Sequence, residues 1–296
     1  MNNYSKIVSY VIVAIVLYFS FSIHILLGIA AILAIIGYLI YSKRDAMITQ
    51  RAVMENNNGN RQLALGLLDQ AYKINPNNPA TLSNYAYLCL KDGQIEKSEK
   101  LMNELISNKS ITAPMRASIE MTRSLIVWKQ GNLEEAIHML EALHEKMKTT
   151  VLYGSLGYFY IEQGDLDRAL DYNLEALDYN DTDAIILDNL LLTHILREEW
   201  DQAEQIGTKL SELNPKFPEA FYHLGLLKLH KEDVEGAIES FQHALDRPFT
   251  AVSTENRETI EQKLQEVREQ YGIQEESDEV EESSEAEEAD GVTESK

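Results

Sequence analysis

One cysteine, Cys89, occurs in 296 residues, which excludes an intrachain disulfide. Positive charge is scarce: 26 Lys and Arg stand against 48 Asp and Glu, a net charge of −22. Nucleic-acid binding relies on Lys and Arg to displace phosphate counterions, so this balance argues against it. It argues equally against adhesion of the soluble part to anionic lipid. Six prolines and fourteen glycines are too few for a Pro/Gly-rich chain. HExxH, CxxC and Walker-type glycine loops are missing, so the sequence offers no catalytic constellation and calls for no cofactor. His223 and His230, seven apart, share a helical face and with Asp233 make a candidate metal site. Ordinary surface histidines are the preferred reading, so no metal site is expected.

Charge is also absent from Ile7 to Tyr41, where His24 is the one interruption. As a single straight helix this run would be about 52 Å long, against a hydrocarbon core of about 30 Å. It reads as two short transmembrane spans, 4–20 and 23–41, reversing at Ser20–His24, where headgroups or water satisfy the turn. Tyr4, Tyr10, Tyr18, Tyr38 and Tyr41 supply aromatic belts. The alternative is one span at 23–41 after an interfacial first segment. Lys6 precedes the run, and Lys43, Arg44 and Arg51 follow it, so both ends favour the cytoplasm. That predicts a cell-membrane protein with a cytoplasmic soluble domain; the alternative places that domain outside.

Small residues then recur. Ala64, Ser98, Ala136, Ala169, Ala203 and Ala237 follow one another at steps of 34, 38, 33, 34 and 34. Twelve residues before each stand Ala52, Ala86, Ser124, Gly157, Leu191 and Gly225, and between the two sets lie Gly59, Gly93, Gly131, Gly164, Glu198 and Glu232. This period predicts six pairs of antiparallel helices joined by short turns. At the closest crossing a large side chain would push the axes apart, hence Gly, Ala or Ser. Asn132–Glu135 and Asp201–Glu204 read as capping boxes opening second helices. In the third pair Glu120 and Arg123 replace apolar residues, which predicts a displaced first helix. Asn173 and Gly207 occupy a position that is usually bulky.

With Tyr153, Leu156, Gly157, Tyr160, Ala169 and Ala176 matched by equivalents around Gly225, the chain resembles the tetratricopeptide repeat family over roughly residues 45–250. The resemblance implies an all-α, right-handed α-solenoid of about six repeats that binds proteins or peptides in a concave groove lined by first helices. The expected organisation is a membrane anchor at 1–44, the solenoid at 45–250, a capping helix at 251–273 and a disordered acidic tail at 274–296. The cap is expected because Ile260, Leu264 and Val267 form one stripe on an otherwise polar helix. The tail is expected because eleven acidic residues and one lysine stand between Glu275 and Lys296.

In this phase the groove residues are Tyr87, Leu90, Leu125, Trp128, Tyr158, Ile161, Leu192, Ile195, Tyr222, Leu226 and Leu229, with Trp128, Tyr158 and Tyr222 as anchors. The lining is aromatic and aliphatic, unlike the Lys, Arg and Asn of grooves that capture a C-terminal carboxylate. It suits an apolar or amphipathic segment of a partner, or a second copy of the chain; the alternative is that these side chains pack between neighbouring helices. The sequence therefore predicts a membrane-anchored scaffold or adaptor rather than an enzyme, or else an extracytoplasmic component of an envelope-assembly or secretion complex.

Overall fold

The computed structural model describes residues 3–107 and 111–273, and every regular element among them is a helix. The expected acidic tail lies outside the described residues. At the N-terminus α1 (Asn3–Ile23) packs on α2 (Ile25–Ser42). Six helix pairs follow: α3 (Arg44–Asn57) with α4 (Arg61–Ile74), α5 (Pro79–Lys91) with α6 (Ile95–Ile106), α7 (Ala113–Lys129) with α8 (Leu133–His144), α9 (Thr150–Gln163) with α10 (Leu166–Tyr179), α11 (Ala184–Leu196) with α12 (Trp200–Glu212), and α13 (Pro218–His230) with α14 (Val234–Leu245). A last helix, α15 (Arg257–Tyr271), lies on α14.

Among the described residues α2 is the one helix long and apolar enough to cross a membrane. The break before it is a single extended residue, His24, whose Nδ1 accepts from the Leu26 amide at 3.1 Å. The sequence suggested a longer reversal through Ser20 and Ser22. Those hydroxyls instead donate to Val16 and Tyr18 carbonyls, so α1 continues through them. Among the positions whose burial is described, Leu17 and Ser20 in α1 and Gly28, Ala31 and Ile35 in α2 are the shielded ones of the pair, and the others are exposed. A β carbon on Gly28 would lie 2.3 Å from the Phe21 ring.

The six small residues Ala64, Ser98, Ala136, Ala169, Ala203 and Ala237 are all fully buried. At Ser98 the crossing is tied by a hydrogen bond from its hydroxyl to the Ala86 carbonyl, 2.7 Å. The position opposite follows a knob-and-hole rule. A β carbon on Gly157 would meet Asn173 Oδ1 at 2.1 Å, and one on Gly225 would meet the Phe241 ring at 2.4 Å. In the fifth pair the sizes are exchanged: Leu191 stands where Gly157 and Gly225 do, and Gly207 stands where Asn173 and Phe241 do. A β carbon on Gly207 would lie 3.7 Å from Leu191 Cδ1 and 2.6 Å from Leu227 Cδ2. Each of these crossings therefore pairs a glycine with a larger side chain, whichever helix carries the bulk, as close packing demands.

The turn inside each pair requires the left-handed region. Gly59, Gly93, Gly131 and Gly164 sit there, and so do Glu198 (φ 59°) and Glu232 (φ 61°). A β carbon is strained in this conformation. Glu198→Gly and Glu232→Gly are each expected to stabilise the chain by ~1 kcal/mol, the relief of that strain less the added freedom of the unfolded chain. Thermal melting of the single variants checks this.

Two local expectations are corrected. Asn132 caps α8 without a side-chain bond, and α12 begins at Trp200, so Asp201 lies inside the helix; neither capping box forms. Side-chain caps come instead from Asn78, Thr149, Asp165, Asp183, Asp233 and Asn256. The first helix of the third pair keeps its place against α6 and α8. It is about one turn longer than its equivalents, and Glu120 and Arg123 pair with each other at 3.5 Å on its half-exposed side.

Polar bonds tie the repeats. Between adjacent pairs Thr49 meets Thr81, Asn78 donates to Asp45 and Trp128 donates to Glu162, and within a pair Asn75 donates to Asp45 and Asn180 to Thr150. Apolar clusters run through the same interfaces, so each repeat is held chiefly by its neighbours. At the end of the array Ile260, Leu264 and Val267 of α15 pack into one cluster with Phe241 and Ala244.

Candidate interaction groove

The first helices α5, α7, α9, α11 and α13 present the side chains that the sequence assigned to the concave face. Leu90, Trp128, Ile161, Ile195 and Tyr222 are buried, Leu125, Tyr158, Leu192, Leu226 and Leu229 are half-buried, and Tyr87 is 41% exposed. Trp128 stands edge-on to Tyr158 at 6.0 Å between ring centres, packs on Phe159, and donates to Glu162 at 2.9 Å. Leu90 belongs to the core between the first three pairs, and Tyr222 to the core under the cap. Much of the assigned set therefore packs between helices. Trp128 and Tyr158 remain together as one aromatic feature.

The chain's own connection between α14 and α15, residues 246–256, lies against these first helices. Pro248 cannot donate to a continuing helix. Phe249 lies under the Arg257 guanidinium, 4.9 Å away, while its carbonyl accepts from both terminal nitrogens of Arg61 at 3.1 Å. The chain then makes a tight turn, closed by the Ser253 amide donating to the Thr250 carbonyl at 3.0 Å. At its tip the Ala251 amide donates to the Lys91 carbonyl, 2.9 Å, and Val252 packs against both the first and the second apolar cluster. Lys129 Nζ reaches the Ser253 carbonyl at 3.5 Å. On the way out the Thr254 amide donates to Glu219 Oε1 at 2.8 Å.

Beneath this exit lies an ionisable cluster. His223 is 1% exposed, and its Nδ1 meets Asp188 Oδ1 at 2.8 Å. Burial pushes the His223 pKa down, but Asp188, with Glu255 and Glu219 nearby, more than offsets this and holds it above the usual histidine range. Burial raises the carboxyls of Glu219 and Glu255 above the usual range. Burial lowers the ammonium groups of Lys91 and Lys129, and burial pushes the Tyr222 hydroxyl up to about 12. His230, the suggested metal partner of His223, instead stacks on Trp200 at 3.6 Å. Among the described residues no group of three His, Cys, Asp or Glu is arranged to hold a metal.

Sequence reading missed Arg61, Lys129, Asp188, Glu219 and the connecting loop. The one available signal was the run Phe249, Ala251 and Val252, apolar residues in a segment otherwise read as the approach to a cap.

Two family models, each described as a tetratricopeptide repeat, match residues 57–109 and residues 151–183 and 218–248. The chain is a tetratricopeptide repeat protein. A solved tetratricopeptide repeat protein from Parabacteroides merdae ATCC 43184 resembles this repeat protein with a TM-score of 0.60 at 16% identity, over 86% of this chain and 98% of that one. PilF of Pseudomonas aeruginosa gives a TM-score of 0.52 at 14% identity, over 68% and 90% of the two chains. PilW, described as a widely conserved type IV pilus biogenesis factor, gives 0.53 at 15% identity, over 68% and 91%. At these identities the likeness is one of fold. No curated protein matches the repeat protein. Repeats of this family form interaction scaffolds.

Proposed function

We propose that the protein is a membrane-anchored scaffold that binds protein or peptide partners along its concave face and catalyses no reaction of its own. The observation that carries this reading is the row of first helices bearing Trp128 and Tyr158 side by side within a groove that already accepts polypeptide backbone. The apolar helix α2 supports the anchor, and it leads through Lys43 into the first repeat. Tethering raises the effective concentration of the groove near the membrane, so a weak contact suffices there. The basic residues flanking the apolar run favour a cytoplasmic solenoid.

In the double variant Trp128→Ala and Tyr158→Ala, partner capture from solubilised membranes is expected to be lost while helix content is kept. Capture at the wild-type level would overturn the groove reading. A second reading places the solenoid outside, in an envelope-assembly complex; the likeness to PilF and PilW favours it. Protease access to the solenoid in intact cells would establish that reading, and access gained on disruption of the membrane would establish the cytoplasmic one.

A further inference from the structure

Loop 246–256 is held as a bound peptide is held. Its partners are read mainly through the backbone: the Phe249 carbonyl by Arg61, the Ala251 amide by the Lys91 carbonyl, the Ser253 carbonyl by Lys129, and the Thr254 amide by Glu219. One side chain, Val252, fills the space between the first two apolar clusters. The Thr254 side chain lies against the Tyr158 hydroxyl, and Glu255 lies within electrostatic reach of His223. Arg61 therefore holds the start of the loop and Lys129 its far side, and the Glu255 carboxylate acts on His223 at the exit. Yet no residue from 249 to 255 is fully buried, whereas the cap fixes itself through Ile260, Leu264 and Val267. The loop is not needed to hold α15 on the last repeat, and its own hold on the groove is shallow.

We propose that residues 249–255 are a built-in ligand that keeps the groove occupied, and that the partner is a polypeptide segment of the same chemistry: a small aliphatic turn followed by hydroxyl side chains and a carboxylate. The partner wins the groove by displacing the loop. This rests on the groove reading above and adds what fills the groove and what must leave it. Because the loop is covalently joined to the array, its effective concentration is in the millimolar range for a short flexible connection, and a free peptide must compete against that.

The test uses the full chain in detergent and a fluorescent peptide copying residues 247–256. In one variant Thr250, Ala251, Val252 and Thr254 are all changed to Gly, which removes the Val252 side chain and both threonine hydroxyls and leaves Ser253 in place. The peptide is expected to bind this variant at least tenfold more tightly than wild type, and a peptide carrying Val252→Asp is expected to bind neither. No binding to a variant with intact helix content, or equal binding to both chains, overturns the proposal. Should the variant fail to fold, hydrogen exchange on wild type decides. Excess peptide is expected to speed exchange of the Ala251 and Thr254 amides, and unchanged exchange overturns the proposal. If the peptide fails while capture still depends on Trp128 and Tyr158, the groove reading stands and the built-in ligand falls.

Discussion

Gly225→Leu is expected to lower stability by ~3 kcal/mol, at the upper end of the overpacking range. A β carbon there would lie 2.4 Å from Phe241 Cε1 and 3.0 Å from Cζ. Phe241 is itself fully buried and packs on Tyr222, so its ring has no free space to enter. The axes of α13 and α14 must then separate, which disturbs the surface on which α15 sits. Gly66 supplies the contrast, because a β carbon on it meets nothing within 4 Å. Gly66→Ala in the middle of α4 is expected to raise stability by ~1 kcal/mol through helix propensity. Thermal melting of the full chain in detergent compares the two. A Gly225→Leu chain that melts with wild type would show that the crossing is not backbone-close.

His223→Ala is expected to cost ~4 kcal/mol, because it leaves Asp188 buried without its partner. Asp188 is 5% exposed, so water cannot replace the imidazole without opening the groove. Replacing both residues by leucine is expected to recover much of the loss, since a buried ion pair adds little over apolar packing of the same volume. The pair also predicts a pH dependence. With the His223 pKa held above its unfolded value, its contribution is fully present below about pH 6.5 and is lost as pH rises through the folded value. Glu219 and Glu255, also raised, act in the same direction, because the folded chain binds more protons than the unfolded one between their unfolded and folded values. His144, whose pKa burial lowers, acts the other way in both chains, so the expected result is that the melting midpoint falls more between pH 5.5 and pH 8 in wild type than in His223→Ala. An equal change in the two chains would contradict the assignment.

The helix pairs were legible because their signal is local and repeated. A small residue at a crossing, a left-handed turn five residues before it, and a partner twelve residues before it recur six times, so errors at single positions cancel. The fifth pair shows the limit. Gly207 looked out of place because sequence spacing reports which positions meet but not which of the two carries the bulk. His223 shows another. Its seven-residue spacing from His230 correctly put both on one helical face, yet one end of that face lies under the loop against Asp188 and the other stacks on Trp200. Apart from the apolar residues Phe249, Ala251 and Val252, the path of residues 246–256 left no trace in the sequence. A connection without periodicity carries no record of where it lies, and Arg61 and Phe249 stand 188 residues apart.

That last contact changes what kind of object the array is. A stacked coil whose units touch only their neighbours can add strength gradually as it is synthesised, each new unit settling on the one before. Here the opening repeat is clasped to a carbonyl made near the end of the chain. The earlier repeats can settle on their neighbours as they are made, but this one contact forms only after the closing segment has followed. The two ends of the array are thereby joined by bonds as well as by the stack, and drawing them apart would have to break the pair from Arg61 to the Phe249 carbonyl.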